Sequence, residues 1–326
     1  MTTLVIGGAG YIGAHIVRLL ETADDVLVVD DLSTGSASRV GEATLVDLDI
    51  ASPGADEALA GVMKEHGVDS VIHLAAKKQV GESVERPTYY YAQNVGGLAN
   101  VLTAMESAGV RRLIFSSSAA TYGAPDEAPE SGYLTEDVRG VPLSPYGETK
   151  LIGEWMCRNA ERAWGLSWSA LRYFNVAGAG WPDLGDPAAL NLIPIVFTRL
   201  TAGQQPILFG DDYDTPDGTC VRDYIHVLDL ADAHVRCLDH VRRIEGAQGA
   251  RVFNVGRGAG SSVREVLDAI AEATGRDTTP EVAPRRAGDP AILAADVSLV
   301  AAELGWHSQR DLADMVSTAW EAWQAG

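Results

Sequence analysis

Cysteine is scarce in this chain, with only Cys157, Cys220 and Cys237 among 326 residues. So few thiols, so scattered, exclude a disulfide framework and a cysteine-based zinc site, and they read as ordinary reduced side chains. Positive charge is scarce too: 25 Lys and Arg face 45 Asp and Glu, for a formal charge of −20. No segment concentrates basic residues, which excludes nucleic acid and anionic membrane surfaces as partners. Apolar runs all fall short of membrane-spanning length, and no basic stretch leads into an apolar one at the start, so a cytoplasmic protein is expected. Metal-ligand spacing is also missing: His15, His73, His226 and His234 sit singly in apolar or helical contexts, and no metal is expected.

What the chain does have is alternation. Hydrophobic residues make up 46% of it, enough for one large domain or two intimate ones. The apolar run Leu4 to Ile6 meets GGAGYIGAH and then an amphipathic stretch to Leu20, the order strand, glycine loop, helix. Gly7, Gly10 and Gly13 allow a tight turn, close backbone approach to a pyrophosphate and close helix packing. A second apolar strand, VLVVD, ends in Asp30, followed by Asp31. An acid at that distance suits a ribose hydroxyl pair and repels an extra phosphate, so NAD is favoured over NADP.

Further strands are expected at residues 45–50, in VDSVIHLAA, VRRLIFSSS and LSWSALRYF, and at Arg251 to Val255. Helices are expected over Asp56 to His66, Tyr89 to Ala108, Tyr146 to Trp164, Val227 to Val241, Ser262 to Thr274 and Leu312 to Ala325. This pattern predicts an α/β fold with a doubly wound parallel sheet, Rossmann-like, and a smaller C-terminal α/β part. The expected division is 1–174 for the dinucleotide and 175–326 for the substrate, with 223–255 rejoining the sheet. Trp155, Trp164 and Trp168 read as core or subunit-interface groups.

The stretch SPYGETKLIGEWM carries Tyr146 and Lys150 four residues apart, on one face of a helix. A phenol titrates near ~10 and is a poor base at neutral pH. An ammonium at about 4 Å, at an effective dielectric near 20, is worth roughly 4 kcal/mol, or about three pKa units. That proximity would bring Tyr146 close to working pH. Ser118, closing IFSSS, is placed to hydrogen-bond the same reacting oxygen.

The order GGAGYIG, DDL, HLAA, VGESV, NV, FSSSAATYG, SPYGETK, LRYFNVAGA, CVRDYIHVLDLADAH and APRRAGDPA resembles the extended short-chain dehydrogenases/reductases, and among them the UDP-glucose 4-epimerases. YxxxK belongs to the whole superfamily, whereas RYFNVAGA with VRDYIHVLDLADAH and PRRAGDP is far more specific. The resemblance implies interconversion of UDP-glucose and UDP-galactose by transient oxidation at the sugar C4, with NAD held throughout and Tyr146 moving the proton. It also implies cofactor contacts from Tyr11, Ile12, Asp30, Asp49, Ile50, Leu74, Ala75, Lys78, Asn94 and Phe174. On the substrate side it implies Asn175, Asn191, Leu192, Leu208 and Phe209, with Arg222 and Arg286 on the diphosphate and Asp289 on the uridine ribose. Fixed arginines suit a chain this acidic, because a diphosphate needs cations to meet it. A homodimer joined by a four-helix contact, from the Tyr89–Ala108 and Tyr146–Trp164 helices, is implied as well.

Two positions depart from the family pattern. Thr34 and Gly35 stand where a polar Asn-Ser pair often supports the adenosine phosphate. Leu293 stands at the gate beside the sugar 2-substituent, where Tyr restricts some members to plain hexoses and smaller residues admit N-acetyl groups. Leucine is intermediate, which ranks UDP-glucose and UDP-galactose first and leaves room for the N-acetylated UDP-hexoses. The rival readings are a UDP-uronate or pentose 4-epimerase, a nucleotide-sugar 4,6-dehydratase and a silent NAD-binding regulator. The dehydratase wants an Asp-Glu pair after a Thr near Ser118, where this chain has SSSAATYG; the regulator would tend to lose Tyr146 or Lys150.

Overall fold

The computed structural model describes residues 1–123, 129, 131–188, 190–244, 251–286 and 289–326. The chain forms two compact units, the first from Met1–Gly123, Gly140–Arg172 and Ala231–Phe253, the second from Ala124–Arg139, Tyr173–Leu230 and Asn254–Gly326.

The first unit is built on a seven-stranded sheet in the order Arg251–Val255, Ser167–Tyr173, Arg112–Ser116, Ser70–His73, Thr2–Ile6, Asp25–Asp30, Thr44–Asp47. From Ser167–Tyr173 through Thr44–Asp47 the strands pair in parallel. Leu4, Val5, Ile6, Val71, Ile72, Leu113 and Ile114 are fully buried. Such uninterrupted apolar runs are what a parallel sheet needs when helices cover both faces. Strand order reverses between Thr2–Ile6 and Ser70–His73, the switch point at which doubly wound sheets bind ligands.

The helix Pro145–Trp164 has clear ends. The Ser144 side chain accepts from the Gly147 N–H, Pro145 supplies the first-turn φ, and Gly165 closes the helix at φ 77°. The run expected as one helix from Tyr89 to Ala108 is instead three segments: α-helix Pro87–Tyr90, a π-helical turn Tyr91–Gly96, and α-helix Gly97–Ala108. Side-chain periodicity carries no signal for one wide turn. Its consequence is local, because Asn94 lies in it.

The second unit carries short strands in the order Gly260–Ser262, Val221–His226, Ile292–Ala295, Tyr133–Leu134, with Asn175–Ala177 also pairing to Val221–His226. Helices Leu192–Thr201, Val263–Thr274 and Leu312–Ala325 pack a separate core through Phe197, Leu267, Ile270, Met315 and Trp320. Capping boxes start the last two: Ser262 with Glu265, and Asp311 with Asp314. The helix expected to end at Val241 runs to Arg243.

Candidate active site

The glycine loop is shaped by contacts that admit no side chain. Gly7 sits at φ +85°, and a Cβ there would lie 2.7 Å from the Ala75 backbone nitrogen; a Cβ on Gly13 would lie 2.1 Å from the Gly7 carbonyl oxygen. Gly10 meets almost nothing, its added Cβ finding only the Gly7 carbonyl at 3.4 Å, and it begins the helix Tyr11–Leu20 without a side-chain cap. The start of a helix without a side-chain cap suits an anion, which its dipole favours. Asp30 ends the next strand, its carboxylate accepting from Ala9 N–H and Leu32 N–H at 2.9 Å each. Capturing that N–H holds Leu32 at φ 53°, the one positive φ outside glycine among the described residues. Burial pushes the Asp30 carboxyl up, with the two N–H groups working the other way. A buried acid with acceptor capacity left and a bare helix start fit the ribose and pyrophosphate of a dinucleotide.

Beside Asp30, burial works against the charge on Asp31, but Ser33 and Lys77 hold its carboxyl below the usual range. Lys77, not Lys78, makes this connection, at 3.5 Å to Asp31 and 2.9 Å to Ser33. Lys78 is exposed. Asn94 pins the same loop: its Oδ1 accepts from Lys77 N–H at 2.8 Å, and its Nδ2 donates to the Lys77 carbonyl and to Thr149 Oγ1, both at 3.0 Å. The π-helical turn thus ties the loop after Ser70–His73 to the Tyr146 helix. Asp49 is exposed, Ile50 is buried in the core, and Leu74 and Ala75 line the loop facing Gly7.

Tyr146, Lys150 and Ser118 are brought together, all nearly buried. The electrostatics differ from the expectation. Burial raises the Tyr146 phenol, and only the Ser118 hydrogen bond lowers it. Lys150 is long enough to pass the phenol: its ammonium donates to the Ser116 carbonyl at 2.7 Å and lies 5.9 Å from the Tyr146 ring centroid. Burial pushes Lys150 down to about 8. His73, stacked on Phe115 at 6.0 Å, is pushed down to about 3 by burial and then by the Lys150 charge, which keeps it neutral. The protein side chains alone therefore leave Tyr146 protonated.

In the second unit, Arg222 donates to Asp289 and, at 2.6 Å, to the Val221 carbonyl. Asp223 is fully buried and accepts from the N–H groups of Arg257, Gly258 and Ala295 at 2.8, 3.0 and 3.1 Å. The Arg286 guanidinium lies 4.1 Å over the Phe209 ring, and Leu293 pairs in register with Arg222. Arg285 turns away to Asp212. Asn175 donates to the Asp223 carbonyl at 2.9 Å, and Asn191 to Asp186 at 3.3 Å. Phe174 and Leu208 are nearly buried, while Leu192 begins its helix half-buried. Ala287 and Gly288 of the PRRAGDP motif lie outside the described residues. Among the described residues no group of three or more His, Cys, Asp or Glu could hold a metal ion, and no helix is long and apolar enough to cross a membrane.

A profile of the NAD dependent epimerase/dehydratase family matches residues 3–256, and the chain belongs to that family. Within it, the chain is similar from end to end to UDP-glucose 4-epimerases. It is 43% identical to the UDP-glucose 4-epimerase of Halalkalibacterium halodurans, over 98% of this chain and 95% of that one. The structure of the UDP-glucose 4-epimerase of Brucella ovis in complex with NAD superposes with a TM-score of 0.90 at 42% identity, covering 98% of this chain and 97% of that one. That of Bifidobacterium longum, in complex with NAD+ and UDP, gives 0.88 at 36% identity, covering 99% and 98%.

Proposed function

We propose that the protein is an NAD-dependent UDP-hexose 4-epimerase that interconverts UDP-glucose and UDP-galactose. The observation that carries the reading is the buried Tyr146, Ser118 and Lys150 group standing in the same unit as a glycine loop that ends at an uncapped helix. The full-length similarity to UDP-glucose 4-epimerases supports the substrate class.

When bound, oxidised NAD supplies a hydride acceptor and a positive charge. The residues do the rest. Tyr146 takes the proton from the sugar 4-hydroxyl as the C4 hydrogen leaves as hydride, giving a 4-keto sugar. Ser118 donates to the Tyr146 oxygen and Lys150 supplies a cation, and both favour the phenolate. Return of the hydride to the opposite face of C4, with Tyr146 giving its proton back, yields the epimer and regenerates every group. No outside reductant or oxidant is consumed. The positive charge answers the electrostatics described above, since burial raises the phenol and Lys150 alone does not reverse it.

Arg222 and Arg286 are assigned to the diphosphate, Phe209 to the uracil face, and Asp289 to the ribose. No Asp-Glu pair directly follows a threonine in SSSAATYG, as a dehydratase would want, which favours epimerisation. Leu293 ranks the plain hexoses above the N-acetylated ones. Incubation of the purified protein with UDP-galactose, and separately with UDP-N-acetylgalactosamine, without added cofactor, tests this. UDP-glucose should form faster than UDP-N-acetylglucosamine; the reverse order overturns the ranking, and neither product overturns the activity.

We also infer a cytoplasmic homodimer. Val80 and Val84, Leu143, and Trp155 on the Tyr146 helix are 51, 61, 62 and 50% exposed, apolar surface that suits a second copy of the chain. Light scattering should give twice the mass of the chain, and a monomer ends this part of the reading.

A further inference from the structure

The helix that carries Tyr146 and Lys150 continues the same stripe one turn further to Glu154. Each member of the stripe engages one of three consecutive serines. Tyr146 meets the Ser118 hydroxyl. Lys150 donates to the Ser116 carbonyl at 2.7 Å. Glu154 Oε1 accepts from the Ser117 hydroxyl at 2.6 Å. Arg172 then closes on both oxygens of Glu154, Nε on Oε1 at 2.8 Å and Nη2 on Oε2 at 2.6 Å. Glu154, Arg172 and Ser117 are 1, 6 and 0% exposed.

Stability explains this pair poorly, because taking two ions out of water costs about what their attraction returns and an apolar pair could fill the space. What an apolar pair cannot do is fix direction. The guanidinium fork permits one orientation of the carboxylate, and that orientation points Oε1 at Ser117. Burial works against the Arg172 charge, yet Glu154 holds it more firmly protonated than a free arginine, with the Tyr122 ring 4.8 Å away.

We propose that Glu154, oriented by Arg172, is a positioning residue: it anchors Ser117 and, through the peptide bond to the next residue, sets where the Ser118 hydroxyl meets Tyr146. The inference rests on the reading of Tyr146 as the acid/base group. Ser118 is the group that lowers the phenol, so a loosened serine segment lets the phenol rise and shifts turnover to higher pH. The charged and titratable groups on the other sides are Lys150, held by the Ser116 carbonyl, and, behind it, His73.

The test compares wild type, Ser117→Ala and Glu154→Gln on UDP-galactose across pH, with bound NAD measured in each. For Ser117→Ala, kcat should fall roughly tenfold with KM and NAD content unchanged, the size of one lost hydrogen bond. The acid limb of its kcat profile should move up by about half a unit to one unit. Glu154→Gln, which leaves Arg172 facing an amide, should fall further in the same direction; if it does not fold, Ser117→Ala decides alone. A Ser117→Ala enzyme with wild-type kcat and an unmoved acid limb overturns the inference, as does one that only melts earlier. An inactive wild type overturns the underlying activity, and this inference with it.

Discussion

The two units hold their candidate site residues by different means. In the first, backbone geometry does most of the work: glycines three residues apart, strand ends, and a helix whose polar stripe repeats every four residues. In the second, side chains far apart in sequence meet in pairs, Arg222 with Asp289 across 67 positions and Arg286 over Phe209. Backbone-made sites fail sharply when one atom is added. Pair-made sites weaken by degrees.

Four substitutions probe that contrast, beginning with the largest effect. Tyr146→Phe should lose roughly 10²–10⁴-fold in kcat on UDP-galactose while keeping its NAD, and an undiminished rate would remove Tyr146 from the chemistry. Gly13→Ala places a methyl 2.1 Å from the Gly7 carbonyl oxygen, so the loop must open. It should lose bound NAD and about 1–3 kcal/mol of stability, read by cofactor release and urea unfolding; full NAD occupancy would contradict the loop's role. Arg222→Gln, by contrast, should raise KM roughly 10–100-fold with kcat held within a few-fold, as expected for one charge-assisted contact to a diphosphate. A collapse of kcat at unchanged KM would move Arg222 into the chemical step.

The smallest effect concerns stability and has an opposite sign. Lys150 is buried with its pKa lowered to about 8 from 10.5. Between those values the unfolded chain holds a proton that the folded one has released, so stability rises with pH across that window; below about 8 the full penalty applies. Lys150→Met should therefore stabilise the cofactor-free protein at neutral pH by about 1–3 kcal/mol. Urea midpoints at pH 7 check this, and a destabilised variant would show that the Ser116 hydrogen bond outweighs the desolvation.

The same contrast explains how much was legible in the sequence. Apolar runs and glycine spacing revealed the doubly wound sheet, and local offsets gave Gly7, Gly10, Gly13, Asp30, Tyr146 and Lys150. The π-helical turn at Tyr91–Gly96 was hidden because the apolar pattern hardly changes across it. Where the Lys150 ammonium points was hidden too: four-residue spacing puts two side chains on one face but does not say that the longer one reaches the Ser116 carbonyl. Lys77 and Lys78 are adjacent, and only the fold shows which one closes on Asp31. Ser117 and Glu154 lay within quoted motifs without a visible link, since their hydrogen bond spans 37 positions.

The central claim is that hydride leaves and returns to the sugar C4 within one site while Tyr146 moves the proton. UDP-galactose carrying deuterium at C4, incubated with the purified protein in ordinary water without added cofactor, tests it most directly. The account predicts UDP-glucose that keeps the deuterium at C4. UDP-glucose with hydrogen from water at that carbon would contradict it.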